Sequence, residues 1–373
     1  MPISKGALFR RSPHLVCYWT GGELIFENYA TGVRTATDPI ACQILNIFDR
    51  WRPLEELADH LNFFPPSSLR KAVTVLARHS LLERSDRPPT PTERAMESWR
   101  RVHWNPAAGF LHFSTKDIPY ATDLQATERL LRRQAKTWPM PAGAKRYPKA
   151  RKVPLPKPHT DGQFAEVLLA RRTWRRFSRR PIGLSALGTL LGLTWGVQHW
   201  LPLPGQGRVA LKTSPSGGAR HAIEVYVLPL HVRGLPRGLY HYAADTHRLE
   251  LVKRPASSRQ VARYLPGQGW YGSAAALLLM TAVFPRAQWR YQSARAYRAV
   301  LIEAGHLCQT FCLVATWLGL APFCSMALAD SHIEKDLGVD GVTESVLYAA
   351  GVGTKPRGVD WAPWPPRRRF LLP

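Results

Sequence analysis

Cysteine is scarce in this 373-residue chain and is not arranged for a disulfide framework or a zinc site. The five cysteines are Cys17, Cys42, Cys308, Cys312 and Cys324. Their number is odd, and no CxxC pair or closely spaced histidine pair accompanies them. Cys308 and Cys312 lie one helical turn apart in an apolar stretch, which is typical of small core residues. We therefore expect that the protein binds no metal and resides in a reducing compartment.

Long apolar runs are also missing. The longest, from Ala274 to Phe284, is too short to cross a bilayer as a helix. The N-terminal segment has no long apolar core of the kind that a signal peptide needs. These absences predict a soluble cytoplasmic protein that does not enter a membrane.

Acidic residues are few, with 26 Asp and Glu against 51 Lys and Arg, which leaves a net charge of +25. Such an excess suits nucleic acid, an anionic membrane surface, an acidic peptide or a phosphate-bearing cofactor. Much of it is arginine scattered along the chain, so a basic solvated surface is an equal alternative. A hydrophobic content of 45% excludes general disorder, and the length allows two or three domains.

Residues 1–90 have the pattern of a small winged-helix-like domain. Two strand candidates come first. The spacing of apolar residues then predicts three helices, which begin at Ile40, after Pro53 and at Ser67 as the N-terminal cap. A strand-like end follows at 81–84. Such a module reads DNA through its third helix, but that helix has no Asn or Gln to contact bases. A peptide-binding module that adds an extended segment to its sheet edge fits equally well.

The remainder divides into a connecting region and a larger domain. Residues 91–159 are rich in Pro and Arg, with a helix predicted at Thr127–Lys136 and aromatic residues that indicate packing. From 160 to 373, apolar helices alternate with buried strands. The central strand is predicted at 273–284, and a long helix is predicted at Tyr297–Leu318. An α+β fold is therefore expected.

Two segments of this domain have residues suited to binding a ligand. Four arginines and Thr173 lie within residues 171–176, which suits a phosphate held by charge-assisted hydrogen bonds. A basic turn is the alternative. The second segment, 213–218, is a loop of small residues ending in Gly217-Gly218, which a flat polar ring system or a phosphate can approach closely. It would also serve as a hairpin connection that needs glycine.

Several motifs in order resemble the SagB-type dehydrogenase family of the nitroreductase superfamily, whose members bind flavin mononucleotide (FMN). They are RRTWRRF at 171–177, SPSGGARH at 214–221, GLYHY at 238–242, RYQSARAYR at 290–298, EAGH at 303–306 and GVG at 351–353. The resemblance covers roughly 160–355. It implies a nitroreductase-like α/β sandwich that forms a homodimer with active sites between the subunits.

The resemblance also implies which residues hold FMN. Arg171, Thr173 and Arg175 are similar to the flavin phosphate and ribityl contacts of the family. Pro215, Ser216, Gly217 and Gly218 are similar to the wall beside the isoalloxazine ring. One of the three arginines at 367–369, with Arg369 the first choice, is expected to complete the phosphate site.

Family members oxidise thiazoline or oxazoline rings of modified peptides to azoles, with a Lys-Tyr pair for acid–base chemistry. Here the pair is Arg290-Tyr291. Arginine stays protonated in proteins and cannot be the base, but its charge favours the phenolate of Tyr291. The resemblance thus implies Tyr291 as base and Arg290 as its support, unless Tyr291 only packs at the flavin edge. His306 is either a proton relay or a helix-packing residue.

The expected partners are a modified peptide substrate with an acidic leader, a second copy of the chain and a cyclodehydratase. Residues 1–90 would bind the leader. Two alternatives stay open. One is a different two-electron reaction on a peptide or carrier-bound substrate, which the missing lysine suggests. The other is a DNA-binding regulator that senses flavin or redox state, although nucleic acid is the less favoured partner.

Overall fold

The computed structural model describes residues 4, 6–119, 123–138, 158–205, 207–254 and 262–358, with a few positions between 143 and 156. The strands are β1 (Leu8–Arg11), β2 (Leu15–Thr20), β3 (Glu23–Asn28), β4 (Val33–Thr37), β5 (Arg52–Pro53), β6 (Leu82–Arg84), β7 (Ile182–Gly183), β8 (His199–Leu203), β9 (Gly207–Leu211), β10 (Ile223–Pro229), β11 (Val232–Arg233), β12 (Leu239–Ala243), β13 (Arg248–Lys253), β14 (Ala276–Val283), β15 (Ala321–Ser325) and β16 (Glu344–Gly353).

Helices are present where the sequence predicts them after Pro53, at Thr127–Lys136 and at Tyr297–Leu318, and others were not predicted. The helices are α1 (Ile40–Ile47), α2 (Leu54–His60), α3 (Pro66–Arg78), α4 (Pro91–Arg101), α5 (Ala107–Ser114), α6 (Leu124–Thr137), α7 (Gln163–Ala170), α8 (Leu184–Trp195), α9 (Phe284–Arg290), α10 (Ala296–Trp317) and α11 (Asp330–Leu337). The chain forms two compact units. The first comprises residues 1–116 and 284–299, and the second comprises residues 117–283 and 300–373.

The N-terminal part of the first unit combines two small sheets with helices α1–α3. The sheets have the strand orders β5-β1-β6 and β2-β3-β4. Phe9, Phe48, Leu57 and Val73 are fully buried in the core between them. Ser67 is not the cap of α3, since Pro65 takes that position and the helix starts at Pro66, where a missing N–H costs nothing. The winged-helix-like assignment stays a prediction, as do the domain boundaries.

Aromatic residues from the predicted connecting region pack in the first unit. Trp99 of α4 and Trp104 are fully buried. Trp99 contacts Phe284 of α9 edge to face, with ring centroids 5.0 Å apart. Phe284 stacks in turn on Tyr297 at 5.6 Å. Edge-to-face and offset pairs suit the aromatic quadrupole, so this cluster fixes α9 and the start of α10 against α4.

The second unit is built on a six-stranded antiparallel sheet with the strand order β13-β12-β10-β14-β16-β15. Its central strand β14 is buried from Ala276 to Ala282. An uninterrupted apolar strand of this kind requires cover on both faces of the sheet. The α+β architecture with a buried central strand is therefore confirmed.

Helix α10 has the length and apolar composition of a membrane-spanning helix. However, part of it is buried within the protein, and Glu303 is only 4% exposed. A charged group is costly at the centre of a bilayer. These are the properties of a core helix that folds against other elements.

Residues 171–178 lie along the β15 end of the sheet. The Trp174 amide donates to the Pro322 carbonyl of β15 at 2.9 Å, and the Ser178 amide donates to the Thr354 carbonyl at 2.8 Å. Phe177 is buried and contacts Phe323, with ring centroids 5.7 Å apart. The arginine-rich segment is thus anchored to the sheet through its aromatic residues.

A substitution at Gly353 tests this anchor. In Gly353→Ala, the new Cβ would lie 2.5 Å from Cδ1 and 2.8 Å from Cγ of Phe177, so the ring must move. We expect a loss of about 1–3 kcal/mol in unfolding free energy, as overpacking of a core usually produces. Denaturant unfolding followed by tryptophan fluorescence measures it. Gly188→Ala in α8 is the matched control, because its Cβ meets His247 Nε2 at an ordinary 3.7 Å. Equal stability of the two variants would contradict the anchor.

Candidate active site

The glycine-containing loop connects β9 to β10 in the second unit. A 3-10 turn at Gly217–Ala219 follows the extended Ser216. The backbone has positive φ at Gly218 (60°), Ala219 (53°) and His221 (44°). Positive φ is uncommon for residues other than glycine, so two of these three positions are held by the surrounding contacts.

One face of α10 provides those contacts. Glu303, His306 and Thr310 recur at helical spacing and therefore share a face. The Ser216 hydroxyl donates to Glu303 Oε2 at 2.6 Å. The Ser214 and Thr310 hydroxyls are 2.7 Å apart. His306 Nδ1 lies 3.3 Å from the Pro215 carbonyl oxygen. The loop is thus fixed at three successive positions by a single helix.

The carboxylate of Glu303 is the centre of this network. It accepts the Ser216 hydroxyl, the Ile223 amide at 3.3 Å and the Ala222 amide. Burial raises the pKa of Glu303, and these hydrogen bonds oppose the rise. The Ser216 hydroxyl oxygen also accepts from the His221 amide at 2.9 Å. The carboxylate therefore ties both ends of the turn to the start of β10.

The amides at the tip of the loop have a different role. Among the described residues, the N–H groups of Ser216, Gly217 and Gly218 donate no hydrogen bond. Three consecutive donors on a backbone without bulky side chains suit the carbonyl oxygens and ring nitrogens of a flat heterocycle. A Cβ at Gly217 or Gly218 would narrow that approach. This cradle fits the ring system of a flavin.

The arginine-rich segment provides cations. Within the described part of the chain, the guanidinium groups of Arg171 and Arg175 take part in no salt bridge. Arg175 is exposed, whereas Arg171 and Thr173 are half-buried. Arg172 donates instead to the carbonyls of Leu169 and Arg171. Two unpaired cations that flank a hydroxyl are suited to a phosphate group.

Helix α10 borders both segments. Its residues 303–310 contact the loop, and Arg171 lies near enough to Cys312 for its positive charge to act on that thiol. Thr310 and Cys312 are two residues apart on the helix, and with 3.6 residues per turn they face roughly opposite sides of it. The loop and Arg171 therefore both border α10, on different sides of the helix.

The two predicted catalytic residues lie in the first unit. Arg290 ends α9, and its Nε donates to the Tyr291 hydroxyl at 3.3 Å. The Arg290 guanidinium carbon also lies 5.6 Å from the centroid of the Tyr291 ring. The Trp104 indole donates to the Tyr291 carbonyl at 3.2 Å. Arg290 and Tyr291 are neighbours in the sequence and contact each other, and their catalytic roles stay a prediction. Arg369 falls outside the described residues.

A family profile described as Nitroreductase family matches residues 168–354, which is half of the chain. This protein belongs to the nitroreductase family. The putative nitroreductase MJ1384 of Methanocaldococcus jannaschii is 29% identical over 193 residues, 52% of this chain and 91% of that protein. The trifolitoxin-processing protein TfxB of Rhizobium leguminosarum bv. trifolii is 32% identical over 37% of this chain and 38% of its own length.

The microcin B17-processing protein McbC of Escherichia coli is 30% identical over 41% of this chain and 56% of McbC. The solved McbBCD microcin synthetase complex of E. coli with truncated pro-MccB17 is 22% identical. It covers 65% of this chain and 86% of that chain, with a TM-score of 0.46. This nitroreductase-family chain spans less than two thirds of TfxB and of McbC. The recognition of the chain as a nitroreductase-superfamily protein is confirmed.

Sequence reasoning missed the structural importance of Glu303. Glu303 and His306 lie one turn apart in the EAGH motif, and the motif by itself assigns the glutamate no function. The available signal was an acidic residue inside an apolar helix, since a buried carboxylate needs hydrogen-bond donors. The contact between His306 and the Pro215 carbonyl favours a positioning role for this histidine over a proton relay.

Glu303→Gln tests the network. Glutamine keeps one acceptor oxygen and places an NH2 group where the carboxylate accepted a donor. We expect a loss of about 1–3 kcal/mol, with faster hydrogen exchange at the Ala222 and Ile223 amides. Mass-spectrometric hydrogen exchange and thermal unfolding measure these effects. Glu166→Gln on exposed α7 is the control and should behave as the unchanged protein. Unchanged exchange in the loop of Glu303→Gln would refute the network.

Proposed function

We propose that this nitroreductase-family protein is an FMN-dependent oxidoreductase of peptide natural-product biosynthesis that oxidises thiazoline or oxazoline rings to azoles. The observation that carries the cofactor is the loop whose amides at Ser216, Gly217 and Gly218 donate no hydrogen bond within the described residues. The cations Arg171 and Arg175 beside the Thr173 hydroxyl support a phosphate group. TfxB is named a trifolitoxin-processing protein and McbC a microcin B17-processing protein, and these names support the peptide substrate of the proposal. The family resemblance of the sequence motifs supports the azoline ring.

In this proposal, Arg171, Thr173 and Arg175 hold the phosphate and ribityl chain, with Arg369 as a further phosphate contact. Pro215, Ser216, Gly217 and Gly218 line the ring. FMN, when bound, supplies the acceptor of two electrons. The fixed loop orients the ring because Glu303 holds Ser216 and the start of β10 in one arrangement. Preorganised donors of this kind cost no reorganisation when charge develops.

Tyr291 is the proposed base. It takes the proton from the ring carbon of the azoline while hydride leaves the substrate. The Arg290 Nε donates a hydrogen bond to the Tyr291 hydroxyl oxygen, and in this proposal Arg290 positions the base for the step. Arg290 stands where the family has lysine, and this difference favours a second candidate. That candidate is another two-electron oxidation or reduction on a peptide or carrier-bound substrate.

The proposal includes a homodimer. Leu301 and Ile302 of α10 are 41% and 56% exposed. Exposed apolar residues on a helix that borders the candidate site suit a subunit interface. A dimeric mass in sedimentation equilibrium supports this arrangement, and a monomer at micromolar concentration contradicts it.

The proposal also assigns the first unit to substrate capture. Strand β6 is an end strand of the described sheet β5-β1-β6, where a peptide can add as a further strand. A cavity of about 350 Å³ beside it is lined by arginines and glutamates, among them Arg87, Arg94, Glu93 and Glu97. The expectation of an acidic leader therefore rests on the net charge of +25. The peptide would reach this protein from a cyclodehydratase that forms the ring. Binding of an acidic leader peptide, measured by fluorescence anisotropy, tests the assignment.

Arg175→Ala tests the cofactor site. The variant loses a charge-assisted hydrogen bond worth about 1.5–3 kcal/mol, so we expect flavin affinity to fall roughly 10- to 100-fold. Fluorescence titration of FMN into the apoprotein measures this. Arg179→Ala, an exposed arginine four residues later, is the control and should keep full affinity. Purified protein that never takes up flavin would overturn the proposed cofactor altogether.

Tyr291→Phe tests the base. We expect kcat for a thiazoline-bearing peptide to fall by roughly 10²- to 10⁴-fold, with FMN occupancy unchanged because the aromatic ring remains. Mass spectrometry follows the loss of two hydrogens from the peptide. Tyr18→Phe is the control. If Tyr291→Phe turns over normally, Tyr291 has no part in the chemistry. If the flavin-loaded unchanged protein leaves azolines intact but reduces or oxidises another substrate, the second candidate holds.

A further inference from the structure

Three of the five cysteines come together in the second unit. Cys308 and Cys312 lie one turn apart on α10, and Cys324 lies on β15. Their sulfur atoms are all within 4.8 Å of one another. The side chains of Cys308 and Cys312 are buried, and Cys324 is half-buried. The sequence spacing gave no hint of this cluster, because Cys324 reaches the helix only through the fold.

The distances are close to those of a metal thiolate site. Zinc–sulfur bonds are about 2.3 Å long, so sulfur ligands of a tetrahedral ion lie about 3.8 Å apart. The widest pair in the cluster therefore needs to close by about 1 Å at most. An all-sulfur ligand set selects soft or borderline cations such as Zn²⁺ over Mg²⁺ or Ca²⁺.

The surroundings suit the charge of such a site. Zn²⁺ with three thiolates carries one net negative charge. The Arg171 guanidinium lies near enough to Cys312 and Cys324 to act on both thiols. The Tyr348 side chain lies near Cys324. A cation and a hydroxyl donor beside the ligands are the outer contacts that commonly stabilise metal-bound thiolates.

We propose that Cys308, Cys312 and Cys324 bind one Zn²⁺ ion, with solvent at the fourth position on the side of half-buried Cys324. The ion would link α10 to β15, the strand to which the Trp174 amide is hydrogen-bonded. It would therefore brace the segment that carries Arg171 and Arg175. Of the residues in this proposal, only Arg171 is also a proposed flavin contact. The zinc proposal therefore stands whether or not the protein binds FMN.

The test uses the full chain without an affinity tag and with Cys17→Ser and Cys42→Ser. Both replaced cysteines are exposed, and their removal leaves the three cluster thiols alone. Elemental analysis of this protein from zinc-supplied cells should give one zinc per chain. Titration of the metal-free protein with Cd²⁺ should produce a thiolate-to-metal charge-transfer band that saturates at one equivalent. Histidine sites do not give that band.

We also expect Zn²⁺ to raise the melting temperature of the background protein. Further replacement of Cys312 or Cys324 by Ser should abolish the charge-transfer band, the binding of one equivalent of Cd²⁺ and this rise in melting temperature. The Cd²⁺ titration of the background protein needs no substitution in the cluster, so it decides the matter even if these variants do not fold. Three outcomes overturn the proposal: no band in the background protein, a band that survives the loss of Cys324, or a thiol count showing that two of the three cysteines are joined as a disulfide.

Discussion

The arrangement of the candidate site depends on one buried carboxylate. Glu303 in the middle of α10 accepts hydrogen bonds from Ser216, Ala222 and Ile223. The helix thereby determines the shape of a loop that has positive φ at two non-glycine residues. Burial alone would disfavour the charged form of this carboxyl group. Several donors offset that cost, as buried charged groups require. Within the described parts of the chain, the three amides at the tip of the loop donate no hydrogen bond.

The second structural requirement is the attachment of the arginine-rich segment. Its arginines are spaced along 171–176, but the residues that fix them are aromatic. Trp174 is hydrogen-bonded through its amide to β15, and Phe177 packs against Gly353 and Phe323. Because Phe177 is buried and the Trp174 amide is hydrogen-bonded to β15, the backbone of this segment stays in place despite the repulsion between its arginines. The high net charge of the protein is consistent with several such cations. The cysteine cluster lies beside the same segment and, with zinc bound, would add rigidity there.

Much of the fold could be predicted from residue patterns. The helix predicted at Tyr297–Leu318 differs from α10 by one residue at each end. Its long apolar stretch has a clear helical periodicity, and Gly319 marks the end of the helix. The buried strand β14 and the predicted helix at Thr127–Lys136 were likewise found. Ser67 failed as a cap because Pro65 and Pro66 already start α3. Strand β15 was not predicted, because five residues at a sheet end carry too little periodicity to stand out from a loop.

The sequence by itself determined the family, the order of the motifs and the types of residue available for binding a phosphate and a flat ring. These are local properties, set by composition and by spacing along the chain. Only the tertiary structure decided that Glu303 organises the loop, that Arg171 and the loop border one helix, and that Cys324 joins Cys308 and Cys312. Each of these depends on contacts between residues far apart in the chain. Such contacts follow from strand order and helix packing, which no local pattern specifies.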